Sequence, residues 1–170
     1  MRLETNRLVL RMFKMEDLDS YHHIMKQKEV YQWLGKAEEK NKDQVKKIIE
    51  YDLNHWKEHN LGTFAIILND NNKLIGHCGI NYVKDIEEFE LLYALDQRYW
   101  GKGYATEACK AVIEWVKQNK KLNQLVALAY QNNERSIHVI KKLNFNYIKP
   151  ITLFGADLYL YQVNFSHTSN

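Results

Sequence analysis

Two features of this chain have residue types suited to chemistry: the segment Arg98-Tyr99-Trp100-Gly101-Lys102-Gly103, and a carboxylate, Glu90, shortly before it. The segment joins an apolar run, Phe89 to Leu95, to a stretch whose apolar positions Ala105, Ala108, Val112, Ile113 and Val116 recur three or four apart. The run reads as a strand and the stretch as an amphipathic helix. A strand feeding a glycine turn at a helix N-terminus can hold an anion. Glycine lets the backbone approach closely, successive N–H groups point the same way, and the helix dipole favours negative charge there. Arg98 and Lys102 add positive charge, and the loop reads as a pyrophosphate site. Glu90 is the carboxylate in an otherwise apolar strand; burial there would raise its pKa and suit it to accept a proton. The alternative is a strand-end acid turned to solvent or bonded to a neighbouring strand.

The elements that must position these residues can be read along the chain. Residues 3 to 13 alternate Leu8, Leu10 and Met12 against Arg7, Val9 and Arg11, a half-buried first strand. Glu16 and Asp17 supply first-turn acids for a helical stretch reaching about Trp33 and closed by Gly35. After the polar segment GKAEEKNKDQ, Asn41 or Asp43 caps a second helix with Val45, Ile48, Ile49, Leu53 and Trp56 inward. Thr63 to Leu68 and Lys73 to Val83 read as a hairpin around Asn69-Asp70-Asn71-Asn72, and the Phe89 strand follows. Beyond the central helix come a buried strand at Leu125 to Tyr130 and a helix with Ile137, Ile140 and Leu143 inward. Two tail strands, Tyr147 to Leu153 and Asp157 to Val163, complete the pattern. Asn144 stands where a helix ends in the left-handed region. The sum is an α/β chain with a mixed sheet of about seven strands and four helices. Its strand–helix–strand unit makes the fourth and fifth strands parallel. One domain over residues 1–165 is expected, with a frayed tail at 166–170.

Composition narrows the function classes. At 170 residues with 45% hydrophobic and 26% charged residues, the chain reads as a soluble globular domain. Lys and Arg exceed Asp and Glu by 24 to 21, too small a surplus to argue for nucleic-acid binding. The start MRLETNRLVLR lacks the apolar core of a signal peptide and no run is long enough to span a bilayer, so no membrane is expected and the compartment is the cytoplasm. Cys78 and Cys109 read as buried small hydrophobes, and His22, His23 and His55 as surface or rim residues; no metal site is expected.

The identity of the anion follows from the loop's spelling. A triphosphate P-loop would need Gly-Lys-Ser/Thr, and a dinucleotide fingerprint would need G-x-G-x-x-G with an acid about 20 positions on; neither is present. Arg98-x-x-Gly101-x-Gly103 instead fits Arg/Gln-x-x-Gly-x-Gly/Ala, and so resembles the coenzyme A loop of the GNAT N-acetyltransferase superfamily. YWGKGYATEA is similar to the branch containing the ribosomal-protein N-terminal alanine acetyltransferases. A second motif agrees: Asn133-Glu134-Arg135-Ser136 followed by Lys142-Leu143-Asn144-Phe145 resembles that branch's Asn-x-x-Ser and Lys-Leu-Gly-Phe, with Asn144 in place of glycine. LETNRLVLR and Asp157-Leu158-Tyr159 extend the likeness over nearly the whole chain.

The resemblance implies a GNAT fold whose fourth and fifth strands splay, and transfer of acetyl from acetyl-CoA to a primary amine by direct attack in a ternary complex. The pyrophosphate would sit on the N–H groups from Gly101 through Lys102, Gly103 and Tyr104 to Ala105, assisted by Arg98 or Lys102. The pantetheine would pair with backbone at Ala94 and Leu95 and touch Asn133. Glu90 is the candidate base. Where many superfamily members carry a tyrosine acid this chain has Ile140, and Ser136 is the candidate substitute; capping a helix is its alternative. Leu92 replaces the branch's usual glycine. The acceptor is either a protein N-terminal amine or a small amine, and a homodimer is left open. A non-catalytic acyl-CoA-binding protein of the same fold is the reading from another class.

Overall fold

The computed structural model describes residues 1–119 and 122–165, so the expected frayed tail lies outside the described residues. Eight strands form one sheet in the order β1-β2-β3-β4-β5-β6-β8-β7. They are β1 (Arg2–Glu4), β2 (Leu8–Met12), β3 (Thr63–Leu68), β4 (Leu74–Val83), β5 (Glu88–Leu95), β6 (Gln124–Tyr130), β7 (Asn146–Leu153) and β8 (Ala156–Asn164). The helices are α1 (Leu18–Met25), α2 (Lys28–Tyr31), α3 (Lys42–His59), α4 (Tyr104–Asn119) and α5 (Glu134–Lys142). Every strand pair is antiparallel except β5–β6, as the strand–helix–strand unit required.

The expected counts of seven strands and four helices each fall short by one. Residues 3–13 are two strands, because the chain reverses at Thr5: its N–H donates to the Leu8 carbonyl at 2.9 Å and its hydroxyl accepts from the Leu8 N–H at 3.0 Å. Alternation is the same on both arms of such a turn, so periodicity does not register it. The first helical stretch divides at Gln27, whose backbone is extended and whose carbonyl accepts from Val30 and Tyr31. Gln27 Oε1 accepts in turn from the Gln97 N–H at 3.2 Å, tying this break to the loop after β5. Other local expectations hold. Asn41 caps α3 in a reciprocal pair with Gln44 at 2.9 Å each way, and Asn144 ends α5 with φ 64°.

Side chains alternate across the sheet and sort into two cores. On one face Tyr21, Ile24, Val45 and Ile49 from α1 and α3 pack on Ala65 and Ala94. On the other, Ala108, Val112, Val116 and Ile140 from α4 and α5 pack on Phe64, Cys78, Leu91 and Leu95. Glu90, Leu92 and Ala94 therefore share the α1/α3 face of β5, and Leu91, Tyr93 and Leu95 the α4/α5 face. The parallel pair β5–β6 has Glu90↔Val126 as its register position among the described residues. Toward their C-terminal ends the strands part, β6 pairing instead with β8 along its whole length from Gln124 to Tyr130. The opening leaves one edge of β5 unpaired from Leu91 to Leu95.

Candidate active site

The loop from β5 into α4 is shaped by an ion pair, two glycines and an arginine from across the molecule. Asp96, 1% exposed, accepts from the Arg98 N–H at 3.0 Å and pairs with Arg98 Nη2 at 2.6 Å. Burial alone would raise the Asp96 pKa, but the bonds from Arg98 outweigh it and hold the carboxyl below its usual range. The indole N–H of Trp100 donates to the Leu95 carbonyl at 2.9 Å, folding the loop back on the strand. Gly101 and Gly103 have φ of 71° and 81°, a region that side chains rarely adopt. Arg7 then clamps the turn. It donates to the Lys102 carbonyl at 2.9 Å, pairs with Glu107 at 2.7 Å and lies 4.2 Å over the Tyr104 ring. Thr5 Oγ1 donates to the same Glu107 at 2.6 Å. The first intrahelical bond of α4 runs from the Glu107 N–H to the Gly103 carbonyl, so the N–H groups of Tyr104, Ala105 and Thr106 have no partner within the helix. They lie at the positive end of a long helix, and Tyr104, Ala105 and Thr106 line the cleft.

A cleft of about 690 Å³ runs from this loop along the opened edge of β5. Gly101, Gly103, Tyr104 and Ala105 line it beside α4; Ala94, Leu95, Asn133 and Ser136 line its middle, and Glu90 lies further along. Five residue-to-residue steps take β5 from Glu90 to Leu95, about 17 Å at 3.3–3.4 Å each. Arg98 and Lys102 do not line the cleft. Arg98 is committed to Asp96, and the Lys102 ammonium lies 5.5 Å over the Tyr99 ring.

Glu90 is half-buried, faces its ladder neighbour Asn81, and has no hydrogen-bond or ion-pair partner among the described residues. Burial among apolar groups pushes its pKa up to about 8. A carboxyl titrating near neutrality in a cleft can exchange a proton in either direction. Ser136 approaches the cleft from the first turn of α5, and its Oγ lies 2.8 Å from the Tyr93 hydroxyl. The cap of α5 is Asn133, whose side chain accepts from the Ser136 N–H at 3.3 Å. Burial raises the Tyr93 pKa strongly, so its hydroxyl stays protonated and can supply the Ser136 oxygen.

Sequence reasoning missed four contributors to this region. Tyr93 stands in the sequence only as one residue of the run Phe89 to Leu95, and the fold gives it Ser136 as a partner. Arg135 stacks its guanidinium 3.3 Å over the Trp100 ring and lines the cleft, joining α5 to the glycine loop. Arg7 is visible as a strand residue, but not as a clamp on a turn nearly a hundred positions away. Asp52, on α3, lies 7% exposed against the same cleft. Trp33 also lines the cleft, whereas Trp56 is in the core with its N–H on the Thr63 carbonyl. Cys78 and Cys109 are buried, their sulfurs 3.6 Å apart. Among the described residues no cluster of three metal-ligating side chains occurs and no helix is long and apolar enough to cross a membrane.

This architecture, a glycine loop at a helix N-terminus beside parted parallel strands, is that of an anion-binding α/β fold. The family model "Acetyltransferase (GNAT) domain" matches residues 7–146, and the chain belongs to that family. An N-acetyltransferase of Bacillus licheniformis, p20, is 28% identical over 144 residues, covering 84% of this chain and 81% of that protein. An acetyltransferase structure from Agrobacterium tumefaciens is 26% identical, with a TM-score of 0.84 over 96% of this chain and 94% of that one. RimL, described as a ribosomal L7/L12 alpha-N-protein acetyltransferase in complex with coenzyme A, shares the fold at 16% identity, with a TM-score of 0.83 over 96% and 98% of the two chains.

Proposed function

We propose that this protein transfers acetyl from acetyl-CoA to a primary amine by direct attack within a ternary complex, in the cytoplasm. The observation that carries the reading is the continuous cleft that joins the glycine loop to Glu90 along the unpaired edge of β5. Its cradle fits a coenzyme A pyrophosphate: two glycines at positive φ, and a Cβ on Gly103 that would come within 3.4 Å of Arg7 Nη2. The N–H groups from Gly101 to Ala105 hold that anion, and Arg7 braces the turn from outside. Backbone at Ala94 and Leu95 pairs with the pantetheine arm, with Asn133 beside it, and a β5 N–H can donate to the oxyanion that forms as the amine attacks.

When bound, acetyl-CoA supplies the activated acyl group; this chain's residues hold the reactants and move protons. Glu90 accepts a proton from the ammonium, so that a neutral nitrogen attacks the thioester carbon. As the carbon–sulfur bond breaks, Ser136, hydrogen-bonded to Tyr93, gives its proton to the departing thiolate, and the second proton that the nitrogen sheds on becoming an amide restores the Ser136–Tyr93 pair. No acyl-enzyme forms. Holding both reactants contributes up to roughly 7–11 kcal/mol at best, more than either proton transfer. Release of coenzyme A thiol, assayed over a panel of amines with mass analysis of each amine, tests the proposal. Acetyl-CoA binding without release on any amine would favour an acyl-CoA-binding protein instead.

A further inference from the structure

The cleft continues past Glu90 toward α1–α3, where two polar atoms are left unsatisfied. Trp33 Nε1 and Asp52 Oδ2 are buried without a hydrogen-bond partner among the described residues, and both residues line this cleft. They are complementary, one a donor and one a charge-capable acceptor. Among the described residues no ion pair neutralises Asp52. The Lys40 ammonium, which also lines the cleft, donates to the Glu38 carbonyl at 3.3 Å, and His77 is held neutral by burial, with its Nδ1 3.0 Å from the Tyr21 hydroxyl. Burial pushes the Asp52 pKa up to about 7, with a hydrogen bond from Thr63 opposing it. A buried carboxylate without its cation is unfavourable, and is expected where a ligand brings the cation.

We propose that the Asp52 side of the cleft is a second recognition site for the acceptor. It takes an ammonium group other than the one acetylated, so that the acceptor is a small diamine or polyamine. This rests on the amine-acceptor reading above. The ammonium donates to Asp52, which lines the cleft from α3. The ladder sets the separation. Asp52 is bonded to Thr63, Thr63 pairs with Gly79, and Gly79 pairs with Leu92, two residues from Glu90. Two strand spacings across and two residues along put Thr63 and Glu90 about 12 Å apart at Cα, which suits two nitrogens joined by roughly four to eight atoms.

The test compares diaminobutane to diaminooctane with chain-matched monoamines, for the wild type and Asp52→Asn, by kcat/KM with acetyl-CoA and by calorimetry of each amine alone. The expected result is a diamine preference of roughly 10- to 100-fold in the wild type, the size of one charge-assisted hydrogen bond out of water. The preference is carried by KM, collapses in Asp52→Asn and is partly recovered in Asp52→Glu. Equal use of diamines and monoamines by the wild type overturns the proposal, as does a preference that survives Asp52→Asn in folded protein. If Asp52→Asn does not fold, the wild-type comparison still decides. If no amine is acetylated, calorimetry separates the two readings. Selective diamine binding keeps this site while the transfer reading fails, and no selective binding overturns both.

Discussion

Replacing Glu90 by Gln should make the protein more stable and much less active at once. The carboxyl has an ordinary pKa of 4.5 and is pushed up to about 8 by burial. In that window the unfolded chain has released a proton that the folded chain retains, so Glu90 lowers folding stability as pH rises from about 4.5 to about 8. Each pH unit is worth about 1.4 kcal/mol, so by pH 7 the loss is about 3 kcal/mol, an upper figure because Glu90 is partly open to the cleft. An amide at this position carries no such dependence. The melting temperature of Glu90→Gln should exceed the wild type's at pH 7 by up to about 6–12 °C for a chain of this size, and the difference should vanish near pH 4.5. Turnover should fall about 10²–10⁴-fold, and that deficit should shrink above pH 8, where more acceptor amine is already neutral. The assay is a melting and rate series from pH 4.5 to 10 on the one variant. A lowered melting temperature with turnover per folded molecule unchanged at every pH would refute the reasoning and make Glu90 structural.

Gly103→Val puts a branched side chain at φ 81° and against Arg7, so calorimetry should show coenzyme A affinity falling roughly 5- to 150-fold, since such strain alone is worth about 1–3 kcal/mol. Arg7→Met removes the brace on the same loop without touching the cradle; coenzyme A affinity and melting temperature should both drop, and the wild-type values would discount the clamp. Ser136→Ala should lower kcat about 10²-fold, with Tyr93→Phe adding much less in the double variant than alone, because the two hydroxyls act as one unit at 2.8 Å. Full additivity in that cycle would separate them. Asn133→Ala should destabilise the protein by about 0.5–2 kcal/mol through the lost cap and raise the KM for acetyl-CoA several-fold; a change in melting temperature alone would limit Asn133 to capping.

Much of this site was legible before any coordinates, for local physical reasons. The glycine turn, the strand before it and the helix after it follow one another in sequence, so spacing alone brings them together. Asn144 could be placed in the left-handed region because a helix end has few other solutions. What could not be read were contacts that only the closed sheet creates. The reversal at Thr5 hides inside an unbroken alternation, and with it the reach of Arg7 to the Lys102 carbonyl. Arg98 looked like an anion ligand by sign and position; folding gives its charge to Asp96, a residue whose burial the sequence does not announce. Tyr93 and Ser136 meet across the opening between strands, and Asp52 reaches the cleft from a helix whose amphipathic pattern explains its apolar residues but not an acid among them.

The most direct test of the account is a single-turnover experiment with acetyl-labelled acetyl-CoA bound to excess protein and then mixed with an amine. Direct attack predicts that label appears on the amine as fast as coenzyme A thiol is released, with no labelled protein at any time. Label passing first onto the protein, or thiol release that precedes amine acetylation, would contradict it.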